Sequence, residues 1–195
     1  MFRGHGRTVE RTLLLALIVA CLPLVLDCGG SSGGGVLQPT KVPIFHGSGT
    51  SSAPDLVTLS SGGTSPGSLI QVDVKLGGPT TSTDLSAFSF DVVLSNPSIV
   101  RSVNATKGDA LTGDQSVLAS ISGDKVVVGA SKLGGTGNGV GAQGATILSL
   151  VFKMDPTAPG TTNLTFSGAT VQDHTGTVIT TINFDSAAAQ LEQPQ

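Results

Sequence analysis

His174 stands beside Asp173 and two residues before Gly176, so two members of a nucleophile–imidazole–carboxylate relay are present in this 195-residue chain. Neighbours on an extended chain point to opposite faces, and without a helix in the pattern no strand-to-helix elbow presents a serine. His174 therefore reads as a turn residue. Glycoside hydrolysis needs two carboxylates. Past the N-terminal leader described below the only Glu is Glu192, so such a pair would have to be aspartates. Asp73 and Asp91 alternate with apolar neighbours, which marks solvated strand faces. Residues 134–144 hold repeated glycine but no Gly-Lys-Ser/Thr, and they lead into a strand, whereas phosphate cradles use a helix N-terminus. They read as a flexible loop that shapes a binding rim. Asp109, Asp114 and Asp124 lie in turn-like stretches of the kind that can bind Ca²⁺, but without EF-hand spacing or a closing Glu they read as solvated turn acids. No cofactor is implied, and the chain reads as a non-enzyme.

Composition narrows the partners. The chain has no Trp and no Tyr, so it lacks the rings on which a polysaccharide would stack, and its Phe residues sit at apolar strand positions as core. A pI near 5.4 offers no electrostatic footprint for nucleic acid. Charged residues make up 12% and glycines number 27, about half and twice the usual shares of ~25% and ~7%, which favours short strands and turns over helices.

The elements that would position these groups are strands. Ile70, Val72, Val74 and Leu76 alternate with Gln71, Asp73 and Lys75, and Phe88, Phe90, Val92 and Leu94 repeat the pattern around Ser89 and Asp91. A period of two buries one face of a sheet. Residues 146–154 are apolar on both sides and read as a central strand. Shorter strands are expected at 125–130, 163–166 and 178–184. Gly77-Gly78-Pro79, Asn96-Pro97, Gly123-Asp124, Asp155-Pro156 and Gly176 supply the turns. The pattern predicts an all-β sandwich over residues 55–185, with residues 107–118 the one place for a helical turn.

Both ends read differently. Arg3, Arg7 and Arg11 precede an apolar run at 13–26, too short and interrupted for a comfortable membrane span, so residues 1–27 read as a secretory signal. The only cysteines, Cys21 and Cys28, close it, and the exported domain has no internal disulfide. They resemble the lipidation site of bacterial lipoproteins. Ile18-Val19-Ala20-Cys21 fits the motif better, whereas Cys28 opens a Gly/Ser run like the tether that follows an acylated residue. Cys28 is the preferred anchor, Cys21 the alternative. Removal of residues 1–27 leaves seven basic against eleven acidic residues, a net charge of −4. Residues 28–54 read as a flexible tether, with Val42, Ile44 and Phe45 as material for a short strand. Residues 186–195 read as a disordered tail.

Taken in order, Phe88-Ser89-Phe90-Asp91-Val92, Asn96-Pro97, residues 103–108, the glycine-rich stretch 139–152 with Lys153, and Asp173 with Gly176 resemble the cohesin domain over roughly residues 65–184. The resemblance implies a jelly-roll β-sandwich of about nine strands, related in fold to carbohydrate-binding modules. It also implies a protein partner of the dockerin type or another surface protein, bound through one sheet face and adjoining loops. Dockerins bring calcium in their own loops. On this reading the partner-binding residues are Asp73, Lys75, Ser89, Asp91, Gly137, Asn138 and Gly139. Polysaccharide binding and a structural envelope or adhesion role are the alternatives. The expected address is the bacterial outer membrane or cell surface, reached by a lipid anchor.

In a bacterial host fed labelled palmitate, Cys28→Ser should abolish labelling of the chain while Cys21→Ser retains it. Loss on Cys21→Ser alone would move the anchor to Cys21.

Overall fold

Ile70, Val72, Val74 and Leu76 are completely buried while the residues between them are half-buried, and Phe88, Phe90, Val92 and Leu94 repeat this on another strand. A computed structural model describes residues 41–49, 52–64 and 67–195. The signal, both cysteines and most of the tether lie outside the described residues. Eleven strands follow in order: β1 Ile44–His46, β2 Leu56–Thr64, β3 Leu69–Leu76, β4 Ala87–Leu94, β5 Val100–Lys107, β6 Gln115–Ser122, β7 Lys125–Lys132, β8 Ala145–Met154, β9 Gly160–Gln172, β10 Asn183–Phe184 and β11 Ala189–Gln193. They form a six-stranded sheet, β1-β11-β9-β4-β7-β6, and a five-stranded sheet, β10-β2-β3-β8-β5. All pairings are antiparallel except the parallel β10–β2 contact.

The core lies between the sheets. Val72, Val74, Leu148, Leu150 and Phe152 come from one side and Phe88, Phe90, Val92, Val128 and Leu191 from the other. As expected, β8 is central, flanked by β3 and β5, and Ile147 through Leu150 are buried in succession. Phe90, Phe166 and Phe184 close one side as a ring cluster. Their centroids lie 5.4, 5.5 and 5.1 Å apart, within the range of favourable edge-to-face packing. The described residues hold eleven strands where about nine were expected.

Four expectations are corrected. Residues 186–195 are not a disordered tail, because β11 fills the open side of β9 and buries Ala189, Leu191 and Gln193. A single leucine among polar residues gives a weak hydrophobic signal, but the pleat points it inward. The end of the 28–54 segment is likewise structured: β1 pairs with β11, and His46 lies 3.0 Å from Glu192. The strand expected at 178–184 shrinks to β10. Ahead of it, Val178 makes only a bridge to Gln172 as the chain folds back around Asp173. The helical turn is at Pro97–Ile99, where proline occupies the first turn, whereas 107–118 runs from the end of β5 into β6.

The registers give the sandwich two poles. Leu76 pairs with both Val57 and Ala145, so β2 begins, β3 ends and β8 begins at one pole. Ala87 pairs with Ser131 and Gln172 there as well. The connections at 77–86, 108–114, 133–144 and 173–182 therefore gather at this loop pole. β11 ends at Gln193, opposite Gly160, and β1 enters at Ile44 opposite Glu192, so the tether joins near the other pole.

Leu191→Ala should cost about 2–5 kcal/mol in urea denaturation, the range for truncating a fully buried leucine. A frayed tail would show no change.

Candidate functional site

The seven residues expected to meet a partner do not share one surface. Asp73 and Lys75 stand on the outer face of the five-stranded sheet, and Ser89 and Asp91 on that of the six-stranded sheet. Two layers of core side chains separate the pairs. Gly137, Asn138 and Gly139 lie at the loop pole. Asp73 accepts hydrogen bonds from Gln71 Nε2 at 2.9 Å and Ser149 Oγ at 2.7 Å. That network fits because residue 62 is glycine: a Cβ there would lie 2.5 Å from the Asp73 carboxylate. Lys75 borders a shallow hollow of about 170 Å³ with Asp109, Gln143 and Thr146.

The glycine-rich loop is stapled rather than flexible, which corrects the sequence reading. Asn138 exchanges backbone hydrogen bonds with Leu85, its Nδ2 donates to Ala110 O at 2.6 Å, and its Oδ1 accepts from Thr112 N at 3.1 Å. One residue, through its backbone and its amide, thus joins three connections. Val140 N donates to Thr80 Oγ1 at 2.8 Å. Backbone also packs on backbone: a Cβ on Gly78 would fall 1.9 Å from Gly141 O, and one on Gly108 1.9 Å from Thr146 O. Glycine is required at both close approaches.

Aspartates do most of this stapling. Asp55, in the left-handed region at φ 58°, accepts from Thr81 N at 2.9 Å and from the Thr81 hydroxyl. Asp84 accepts from Gly137 N at 2.7 Å, Asp109 from Thr146 N at 2.6 Å, and Asp173 from Thr175 N at 2.8 Å and Thr177 N at 2.9 Å. Asp109, a candidate calcium ligand by its turn position, is thereby engaged with the backbone. No three His, Cys, Asp or Glu residues come together as a metal site among the described residues.

His174 meets Asp84, ninety positions away in sequence, and not its neighbour Asp173: Nδ1 lies 2.5 Å from Asp84 Oδ2. The hydrogen bond from His174 holds the Asp84 carboxyl below the usual carboxylate range. The Gly137 N–H adds to this and partial burial opposes it. A nucleophile–base pair needs a hydroxyl within reach of the imidazole. Asp84 is instead the only hydrogen-bond partner of that ring among the described residues. The pair ties the connection at 77–86 to the one at 173–182. Sequence reading missed it because the two residues lie on separate loops.

The outer face of the six-stranded sheet has another character. Ser89, Ser116, Ser120, Ser122 and Ser131 share it, through the registers Ser89–Gly129–Leu118, Ser116–Ser131, Ser120–Val127 and Ser122–Lys125. Leu118 and Val127, 62% and 42% exposed, are diagonal neighbours on β6 and β7, close enough for side chains of this size to form one apolar patch. Gly129 leaves open space beside Leu118. Asp91 pairs with Lys125 at 3.2 Å, which neutralises both charges in the middle of the face. β6 escaped detection because its inward residues, Val117, Ala119 and Ile121, are only partly buried, and Leu118 breaks their alternation by pointing outward.

No protein-family model matches the sequence, and no curated protein is significantly similar to it. Solved structures are. The sixth cohesin of scaffoldin B from Acetivibrio cellulolyticus, solved in complex with a Cel5 dockerin, is 20% identical with a TM-score of 0.51, over 68% of this chain and 94% of that one. The cohesin CaCohA2 from Clostridium acetobutylicum is 16% identical with a TM-score of 0.51, over 69% and 87%. The OlpA cohesin from Clostridium thermocellum, in complex with the Doc918 dockerin, is 14% identical with a TM-score of 0.51, over 66% and 92%. The fold is the cohesin jelly-roll sandwich.

Asp155 repeats the staple at the opposite pole, accepting from Arg101 at 2.8 Å and from Thr157 N at 2.8 Å, and its pKa is lowered to about 2, first by Arg101 and then by Thr157. A depressed carboxylate stabilises the fold above its unfolded pKa and loses that contribution as pH falls through the folded value. The stability difference between wild type and Asp155→Asn should therefore hold down to about pH 4, the unfolded range. It should then shrink toward about 2, the folded pKa. Urea denaturation at stepped pH reads it, and a difference that persists unchanged to the acid limit would refute the staple.

Proposed function

We propose that this chain is an exported, lipid-anchored, non-catalytic module that binds a protein partner of the dockerin type through the outer face of its six-stranded sheet. The observation that carries the reading is a serine-rich stretch of this face on β4, β7 and β6, its Asp91 and Lys125 charges paired, with Leu118 and Val127 exposed toward the β6 side. Depletion of charge around exposed apolar side chains is the compositional mark of an interface core. Of the aspartates that sequence alone offered to catalysis or metal, Asp109 and Asp173 accept from backbone N–H groups, Asp73 from Gln71 and Ser149, and Asp91 pairs with Lys125, which favours a rigid binding module over a reaction centre. The cohesins of Acetivibrio cellulolyticus and Clostridium thermocellum were solved bound to dockerins, which supports the choice of partner class. Tether entry near one pole and the long connections at the other suit a module held off a membrane by residues 28–40.

Titration calorimetry against purified dockerin modules in calcium tests this. A dockerin should bind saturably. Val127→Lys and Ser89→Lys should each weaken it by at least about tenfold, ~1.4 kcal/mol. Asp73→Ala and Lys75→Ala, on the opposite sheet, should leave the affinity unchanged. Loss through Asp73 or Lys75 instead would move the interface to the five-stranded sheet. Saturable binding to an insoluble polysaccharide with no dockerin bound would replace the reading with a carbohydrate-binding one.

A further inference from the structure

An open sheet ends in edge strands whose outward N–H and C=O groups are a template for another chain, and proteins blunt such edges by shortness, charge, proline or bulges. Among the described residues the edges are β1 and β6 on one sheet and β10 and β5 on the other. β1 has three residues and β10 two. β5 carries Arg101 and Lys107 and a register shift between Val100 and Ser102. β6 has none of these devices. It is eight residues long, Gln-Ser-Val-Leu-Ala-Ser-Ile-Ser, with no charge, proline or glycine. Its register with β7 is unbroken from Gln115–Lys132 to Ser122–Lys125. Among the described residues β7 is its only hydrogen-bonded neighbour; β5 packs nearby without pairing.

We propose that β6 is a self-recognition edge, through which two copies of this chain join their six-stranded sheets antiparallel about a two-fold axis at Leu118. A two-fold pair is isologous, so one strand must complement itself. Centred on Leu118, the ladder sets this side chain against the partner's Leu118, Ser116 against the partner's Ser120, and Val117 against the partner's Ala119. No charge meets a like charge. Centred one residue on, at Ala119, the ladder would oppose Asp114 to the partner's Asp124, an unfavourable like-charge pair. The Leu118 register also joins the Leu118–Val127 patches of both copies into one apolar strip. That gain exists for a second copy and not for an arbitrary extended peptide, which is why the edge is assigned to self-pairing. The inference stands apart from dockerin binding and does not require it.

Directly opposed cross-strand residues place their Cβ atoms within disulfide reach. In the full-length chain, Leu118→Cys should give an oxidised band at twice the mass of the chain, in excess over wild type and over Ser89→Cys, which lies two strands inside on the same face. The double variant Ser116→Cys/Ser120→Cys should link as well, while Ser116→Cys alone should not. Sedimentation of the wild type should show a concentration-dependent dimer that Leu118→Lys converts to monomer with an unchanged β-sheet circular dichroism spectrum. Linking of Leu118→Cys no greater than that of Ser89→Cys, a link to a different protein, or a wild type that stays monomeric would each overturn the proposal. Dockerin titration of Ser89→Lys, two strands inside the β6 edge, is read independently of all three.

Discussion

Six strand-to-strand connections among the described residues are held by a short carboxylate accepting a backbone N–H: those of Asp55, Asp84, Asp109, Asp155 and Asp173, and that of Asp185, which accepts from Ala187 N at 2.9 Å. Loops without helices leave amide donors exposed to burial, and each unpaired donor costs free energy comparable to a lost hydrogen bond. Aspartate reaches such donors within two residues or across a neighbouring loop; glutamate, one methylene longer, fits the local turn geometry less well. The same need explains the composition, ten aspartates and a single Glu192 after the leader. The loop pole depends on this device throughout. Asp55 ties its loop to Thr81, Asp84 ties two others through Gly137 and His174, and Asp109 ties a third to the start of β8.

Once the pole is rigid, recognition falls to the sheets. The two outer faces differ in what their side chains do to one another. On the five-stranded sheet, Asp73, Gln71 and Ser149 satisfy themselves in a closed network, which leaves few free donors or acceptors for a partner. On the six-stranded sheet the serines of β4, β6 and β7 make no side-chain hydrogen bond among the described residues, Asp91 is already paired with Lys125, and two apolar residues stand beside them. A surface of that kind loses little hydration when covered, so it is the face on which association is favourable.

β1 and β11 shape the same sheet from its far side. By occupying the open side of β9 they convert a long, hydrogen-bonding edge into a three-residue one, with the His46–Glu192 pair on top. Among the described residues the sheet is thereby left with one long unpaired edge, β6. β1 and β11 begin and end near the pole away from the long loops.

The alternation of Ile70 to Leu76 and of Phe88 to Leu94, the doubly apolar β8 and the turn residues determined an all-β sandwich or barrel, because a period of two buries one face of each strand; the strand pairing decided for two stacked sheets. Strands with a strong inward row were legible, and Val42, Ile44 and Phe45 hinted at β1; β2, β6 and β11 were not, since a row that runs out into Ser and Gly, an outward Leu118 or a lone leucine gives no periodic signal. Individual candidate residues were legible as types. Their company was not: Asp73 and Ser89 stand on similar strands yet face opposite sides of the molecule, and His174 looked to Asp173 in sequence while Asp84 meets it in space. Which face a residue joins depends on the sheet its strand enters. That is decided by long-range pairing, which local sequence does not encode.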